Sequence, residues 1–181
     1  MIPIRVVPVG AVDRTLVDAV VAGLAHEYRV PCSATATPID PARTLHPERR
    51  QYHSSEILAD LSALELPCRV LGVAAVDLYI PILTFVFGEA QLEGMCAVVS
   101  YHRFEETFYG LPSDPWVTEE RLVKCAIHEV GHTYGLHHCE DYECVMASAH
   151  SVEWVDLKGS VLCTDCRLQM AAAEALAARG K

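Results

Sequence analysis

The sequence predicts a single α/β (α+β) domain on a mixed, twisted sheet, and three observations carry that prediction. Strand-like and helix-like segments alternate early, strand-like segments cluster between residues 69 and 104, and a long amphipathic helix follows them. With 181 residues, 51% of them hydrophobic, the chain can bury a sizeable core.

Residues 2–9 are rich in β-branched side chains and read as a buried first strand. Leu16, Val17, Val20, Val21 and Leu24 recur at three- and four-residue spacing, giving the segment 12–28 one apolar helical face. Residues 29–37 read as a second strand. Pro38, Pro41, Pro47 and their polar neighbours make 38–53 a loop, in which Arg50-Gln51-Tyr52 receives no role. Ser54 or Ser55 can cap a helix reaching about Leu64, with Ile57, Leu58 and Leu61 facing inward and Pro67 marking its end. Three strands are expected at 69–77, 83–87 and 95–104. A turn-rich connection at 111–116 leads to a helix with Thr118 as N-cap and Glu119 and Glu120 in the first turn. That helix sends Leu122, Val123, Ala126 and Val130 into the core. Residues 165–178, rich in alanine and leucine, form a closing helix that ends at Gly180 and packs on the main lobe.

The chemistry concentrates between His128 and Met146. His128 and His132, four apart on a helix, lie about 40° apart around the axis and roughly 6 Å along it, which suits two imidazoles converging on one ion. Glu129, beside the first ligand, can reach a water on that ion. On a continuing helix His138 would sit about 9 Å beyond His132, far outside a Zn–N bond of roughly 2 Å. Gly135 can end the helix with a positive φ, so that Leu136 and His137 turn the chain back and His138 becomes the third ligand. Three nitrogens leave a fourth position open, the pattern of a catalytic zinc. Glu129 would serve as general base for the attacking water. His137 does not fit the spacing and reads as a neighbour facing elsewhere.

His128, Glu129, His132, Gly135 and His138 match the metzincin metallopeptidase motif, and Met146 stands where that clan places its Met-turn beneath the zinc. Cys139 directly follows the third histidine, Cys144 follows four residues later, and Cys163 and Cys166 form a Cys-x-x-Cys downstream. In that combination the chain resembles the archaemetzincin family. The sixteen residues between Met146 and Cys163 are about one fewer than the family's usual spacing, which a loop can absorb. The resemblance implies a metzincin-like fold with an N-terminal lobe over 1–135, including the active-site helix, and a small zinc-stapled C-terminal lobe over 136–181. It also implies that 83–87 or 95–104 supplies a sheet edge that pairs with an extended substrate.

Cys139, Cys144, Cys163 and Cys166 together offer a closed four-thiolate site for a structural zinc, so two zinc ions per chain are expected. A redox-active Cys-x-x-Cys or four buried thiols are the rival readings. Cys32, Cys68, Cys96 and Cys125 stand singly in apolar segments and read as core residues. Ser148 occupies the place of a tyrosine that helps polarise substrate in some metzincins; His150 is a possible auxiliary in its stead, and Tyr134 a weaker one.

A net charge of −10, with no basic cluster beyond Arg49-Arg50, argues against a phosphate-backbone binder, so no nucleic-acid partner is expected. The start of the chain lacks a basic, apolar leader, and no apolar run spans a bilayer, so a cytoplasmic protein without membrane partners is expected. The reading is therefore a zinc metallopeptidase acting on a peptide or protein substrate, its oligomeric state open. The alternatives are a non-catalytic zinc-stabilised peptide-binding module and a hydrolase of a non-peptide amide.

Overall fold

In the computed structural model, which describes residues 2–179, the chain runs β1 (Ile4–Val9), α1 (Arg14–Tyr28), β2 (Cys32–Ala34), β3 (Leu45–His46), β4 (Gln51–His53), α2 (Ser54–Ser62), β5 (Arg69–Ala74), β6 (Leu78–Tyr79), β7 (Gly88–Ala90), β8 (Cys96–Ser100), α3 (Pro115–Thr133), α4 (Val152–Leu157) and α5 (Thr164–Arg179). Five strands form one sheet in the order β2-β1-β5-β8-β7. The first four are mutually parallel, and β7 joins β8 antiparallel as an edge. Parallel strands covered on both faces read as nearly continuous apolar runs, which accounts for the density of buried valine in β1, β5 and β8.

Alternate residues of those strands serve two cores. Ile4, Val6, Leu71, Val73, Ala97 and Val99 pack under α1 and α3, while Val7, Val9, Val70, Ala74 and Val98 pack under α2. The first core extends past residue 135 through Leu136, Val145, Met146, Val155 and Leu162. The site helix α3 is therefore clamped between the sheet and the C-terminal segment.

Several boundaries differ from the sequence expectation, each for a local reason. Helix α3 starts at Pro115, with Asp114 as N-cap accepting from the backbone N–H of Trp116 and Val117. An Asp cap followed by proline at the first helical position outcompetes Thr118, whose hydroxyl instead donates to the Asp114 carbonyl inside the helix. Glu119 and Glu120 consequently miss the first turn. The stretch 38–53 is not all loop: β4 pairs with β3 and with β6 in a small second sheet. The expected strand at 83–87 does not form. Arg49 takes the carbonyls of Leu83 and Thr84, and Phe85 is drawn edge-on to Phe87 and beneath the Arg103 guanidinium. The sheet's edges are β2 and, just beyond this segment, β7, while β8 within 95–104 is interior to the sheet. Helix α4 was not anticipated. In α5, Cys166 and Met170 join the main core and Arg167 pairs with the buried Glu27 of α1, while Leu168 faces solvent. The expected end at Gly180 lies outside the described residues.

Candidate metal centres

Helix α3 ends at Thr133, one turn after His128 and immediately after His132. Gly135, at φ 86°, adopts the left-handed turn that lets the chain reverse. The reversal brings His138 to the other two histidines, and one ring nitrogen from each of the three lies within 4.8 Å of the others.

The ring orientations are fixed from behind. His128 Nδ1–H donates to the Val145 carbonyl at 2.9 Å and His132 Nδ1–H to the Leu136 carbonyl at 2.7 Å. Each neutral ring then has an unprotonated Nε2, and these two nitrogens stand 3.1 Å apart. Two lone pairs so close repel unless a cation lies between them, so the donor set fits a metal that accepts imidazole, as zinc does. Burial holds the His128 pKa well below its ordinary value, helped by Lys158 and His132, which keeps the ring neutral as a ligand must be.

Glu129 is buried, and its carboxyl is pushed up to about 8 by desolvation and by Glu89, against the opposing pull of Lys158. Room for it is made by Gly88 in β7. A Cβ there would sit 2.7 Å from Glu129 Cγ and 2.6 Å from the Val98 carbonyl oxygen. Glycine 131, inside the motif, makes the corresponding space for Met146, whose sulfur would be 2.5 Å from a Cβ at that position. Met146 is fully buried under the histidines' helix.

A cleft of about 350 Å³ opens beside these groups, lined by Gly88, Glu89, Ala90, His128, Glu129 and His138 among others. One wall of the cleft is a strand edge. Phe87 and Gln91 hydrogen-bond to β8, so by antiparallel alternation Glu89 does too, and the N–H and C=O of Gly88 and Ala90 point outward. The Glu89 side chain lies on the opposite face, accepting from the Ser54 and Ser55 hydroxyls at the start of α2.

The four cysteines gather as well, with their sulfurs within 4.8 Å of one another. Cys144 Sγ accepts from the N–H groups of Met146 and Cys163 at 3.5 and 3.3 Å, and Cys163 Sγ from that of Cys166 at 3.5 Å. Such bonds favour thiolate, and the Cys166 N–H is the main reason the Cys163 thiol is pulled down. Burial instead pushes Cys144 and Cys166 up. Four sulfurs converging on one point, two of them costly to ionise in isolation, suit a divalent ion better than free thiols.

Other expected residues fall elsewhere. His150 is exposed and touches Ser148 at 3.4 Å, outside the histidine cluster. Tyr134 is buried, stacked on Tyr28 and covered by the Arg69 guanidinium, so it is a packing residue. His137 lines the cleft rather than facing away from it. Cys68, Cys96 and Cys125 are buried and Cys32 half-buried. Sequence reasoning missed Gly88 and Lys158, which carry no motif; an isolated glycine between two apolar segments was the available signal for the first.

The sequence pattern of peptidase family M54 matches residues 54–172. The chain belongs to that family. Among M54 relatives, the archaemetzincin of Methanocaldococcus jannaschii is 47% identical over 118 residues, 65% of each chain. The aligned stretch thus spans somewhat under two thirds of that relative. A zinc-dependent peptidase from Methanocorpusculum labreanum superposes with a TM-score of 0.86 at 29% identity, over 92% of this chain and 99% of that one. The archaemetzincin of Methanopyrus kandleri superposes with a TM-score of 0.81 at 31% identity, over 95% and 94%. The M54 likeness covers both ligand clusters and the helix that carries His128 and His132. Among the described residues no helix is long and apolar enough to cross a membrane.

Proposed function

We propose that the chain is a zinc-dependent peptidase that cleaves a peptide bond by direct attack of water, with Glu129 as general base. The observation that carries this reading is the buried Glu129 carboxyl held between the histidine helix and an unpaired strand edge in one cleft. The proposed complement is two zinc ions, one on His128, His132 and His138 and one on Cys139, Cys144, Cys163 and Cys166. Zinc on the three histidines supplies Lewis acidity, polarising a carbonyl and making a water acidic.

The remaining steps belong to the chain. The backbone edge at Gly88 and Ala90 pairs with an extended peptide and holds its scissile bond along the cleft without reading side chains. Glu129 takes the proton of the attacking water on a carboxylate oxygen and delivers it to the leaving nitrogen. Burial pushes this carboxyl up to about 8 in the metal-free protein, and zinc on the adjacent histidines would lower it toward the carboxylate that a base requires. Met146 fixes the floor so that the rings do not tilt. The substrate is a peptide or protein, and the setting is the cytosol, where thiols remain available as ligands.

The zinc-loaded protein, incubated with a diverse peptide library and read by mass spectrometry beside Glu129→Ala, should yield products that the variant does not. Products common to both would assign the cleavage to a contaminant. No product from the parent, with both zincs present, would favour a peptide-binding module.

A further inference from the structure

Lys158 is 3% exposed, and its Nζ lies 3.3 Å from the Ala147 carbonyl oxygen and 3.3 Å from His128 Nδ1. Because the His128 Nδ1 proton is committed to Val145, that nitrogen cannot accept from an ammonium. The Ala147 carbonyl is then its hydrogen-bond acceptor, and among the described residues no carboxylate comes within 4.0 Å. A buried ammonium without a carboxylate is costly unless other negative charge stands near.

Its neighbours supply that charge unequally. From α3, Cys125, Glu129 and Lys124 face it; from the other side comes the strap 143–147, which carries the cluster thiol of Cys144. The Lys158 backbone is tied to this strap, since the next residue, Gly159, donates to the Glu143 carbonyl at 2.9 Å. Four thiolates around one zinc carry a net charge of about −2, whereas zinc on three neutral imidazoles carries about +2. Lys158 thus stands at the seam between an anionic and a cationic centre.

We propose that Lys158 is a positioning residue shared by the two centres, a fixed positive charge that favours metal on the four sulfurs and disfavours it on the three imidazoles. The ion on the histidines is then held less tightly and left more electrophilic. The inference rests on both clusters holding metal, as proposed above, but not on peptidase activity.

The test uses the full chain as parent, Lys158→Met and Lys158→Arg. Cobalt(II) exchange separates the sites, because only the cysteine site gives a thiolate-to-metal charge-transfer band, and chelator competition gives the zinc affinity of each. Lys158→Met should bind zinc about tenfold or more tightly at the histidines and correspondingly more weakly at the cysteines. Lys158→Arg should stay near the parent at both. Loss of packing alone predicts weakening at both sites, and that result, or no change at either, overturns the proposal. If the Met variant melts lower, Lys158→Gln, which keeps a donor for the Ala147 carbonyl, carries the same opposite-signed expectation. A parent whose histidines take no metal overturns the metal-centre reading itself, and its own spectrum shows this before any variant is made.

Discussion

His128 and His132 project from the last, buried turns of a 19-residue helix, and each ring is oriented by a backbone carbonyl. The four cysteines come from the loop after that helix, a connecting loop and the first turn of α5, and their geometry is set mainly by N–H to sulfur bonds among themselves. The first cluster is held by the scaffold; the second holds its surroundings. The two are not independent, because one strap serves both. His138 precedes Cys139 directly, the Cys139 N–H donates to the Met146 carbonyl at 3.0 Å, and the Val145 carbonyl orients His128. Damage should therefore travel from the cysteines to the histidines far more readily than in reverse.

Breaking the thiolate cluster gives the largest expected effect. Cys144→Ser should release one zinc, lower the melting temperature by on the order of 10 °C, and abolish hydrolysis because the strap under the histidines loses its anchor. His138→Ala should also abolish hydrolysis but leave the melting temperature and the cysteine-bound zinc nearly unchanged. Metal analysis and calorimetry on the two variants decide the asymmetry; equal destabilisation by both would end it. Next comes Glu129→Ala, which should keep both zincs and cost about 10²- to 10⁴-fold in hydrolysis rate. Retained activity in that variant would remove the general base from the mechanism.

The contrast between the clusters was partly legible from spacing alone. A four-residue interval on a helix, a glycine where the helix must stop, and cysteines beside the third histidine specify both donor sets, because ligand chemistry tolerates few residue types. Buried valine runs made β1 and β8 equally plain. What spacing could not deliver was partnership across the fold. The edge role of β7 depends on Arg49 and Arg103 capturing the aromatic segment before it, and a three-residue strand reading Gly-Glu-Ala has no propensity to announce itself. The start of α3 lies at Asp114 rather than Thr118 because proline at the first helical position settles a local contest between two caps. Lys158 was invisible for the same reason as β7: its meaning lies in what surrounds it 30 residues from His128.

A smaller substitution sharpens the picture of how the scaffold holds the histidine cluster. Gly88→Ala places a methyl group where Glu129 Cγ and the Val98 carbonyl already stand, so the carboxylate or the strand must shift. Hydrolysis should fall about 10- to 100-fold through kcat, as misplacement of a catalytic group by roughly an ångström implies. Zinc content should not change. A fall confined to KM would instead assign Gly88 to peptide pairing alone.

The last prediction concerns stability of the metal-free protein against pH and leaves hydrolysis aside. Glu129 is raised from 4.5 to about 8 by burial, so between those values the folded state binds more protons than the unfolded one. Stability contributed by this group is present below about pH 4.5, declines as pH rises, and is gone above about 8. His128 works with the opposite sign: burial holds it well below 6.5, so the unfolded state takes up protons first and stability rises with pH until about 6.5. Subtracting the profile of Glu129→Gln from that of the parent cancels the histidine contribution and isolates the carboxyl. The parent should lose ground to the variant steadily across that window, by a few kcal/mol in all. Loading the histidines with zinc should shrink the difference, since a nearby cation favours the carboxylate. A difference that is flat with pH would mean that Glu129 is solvated in the metal-free protein, and the scaffold would then hold its histidines in place without also holding its base.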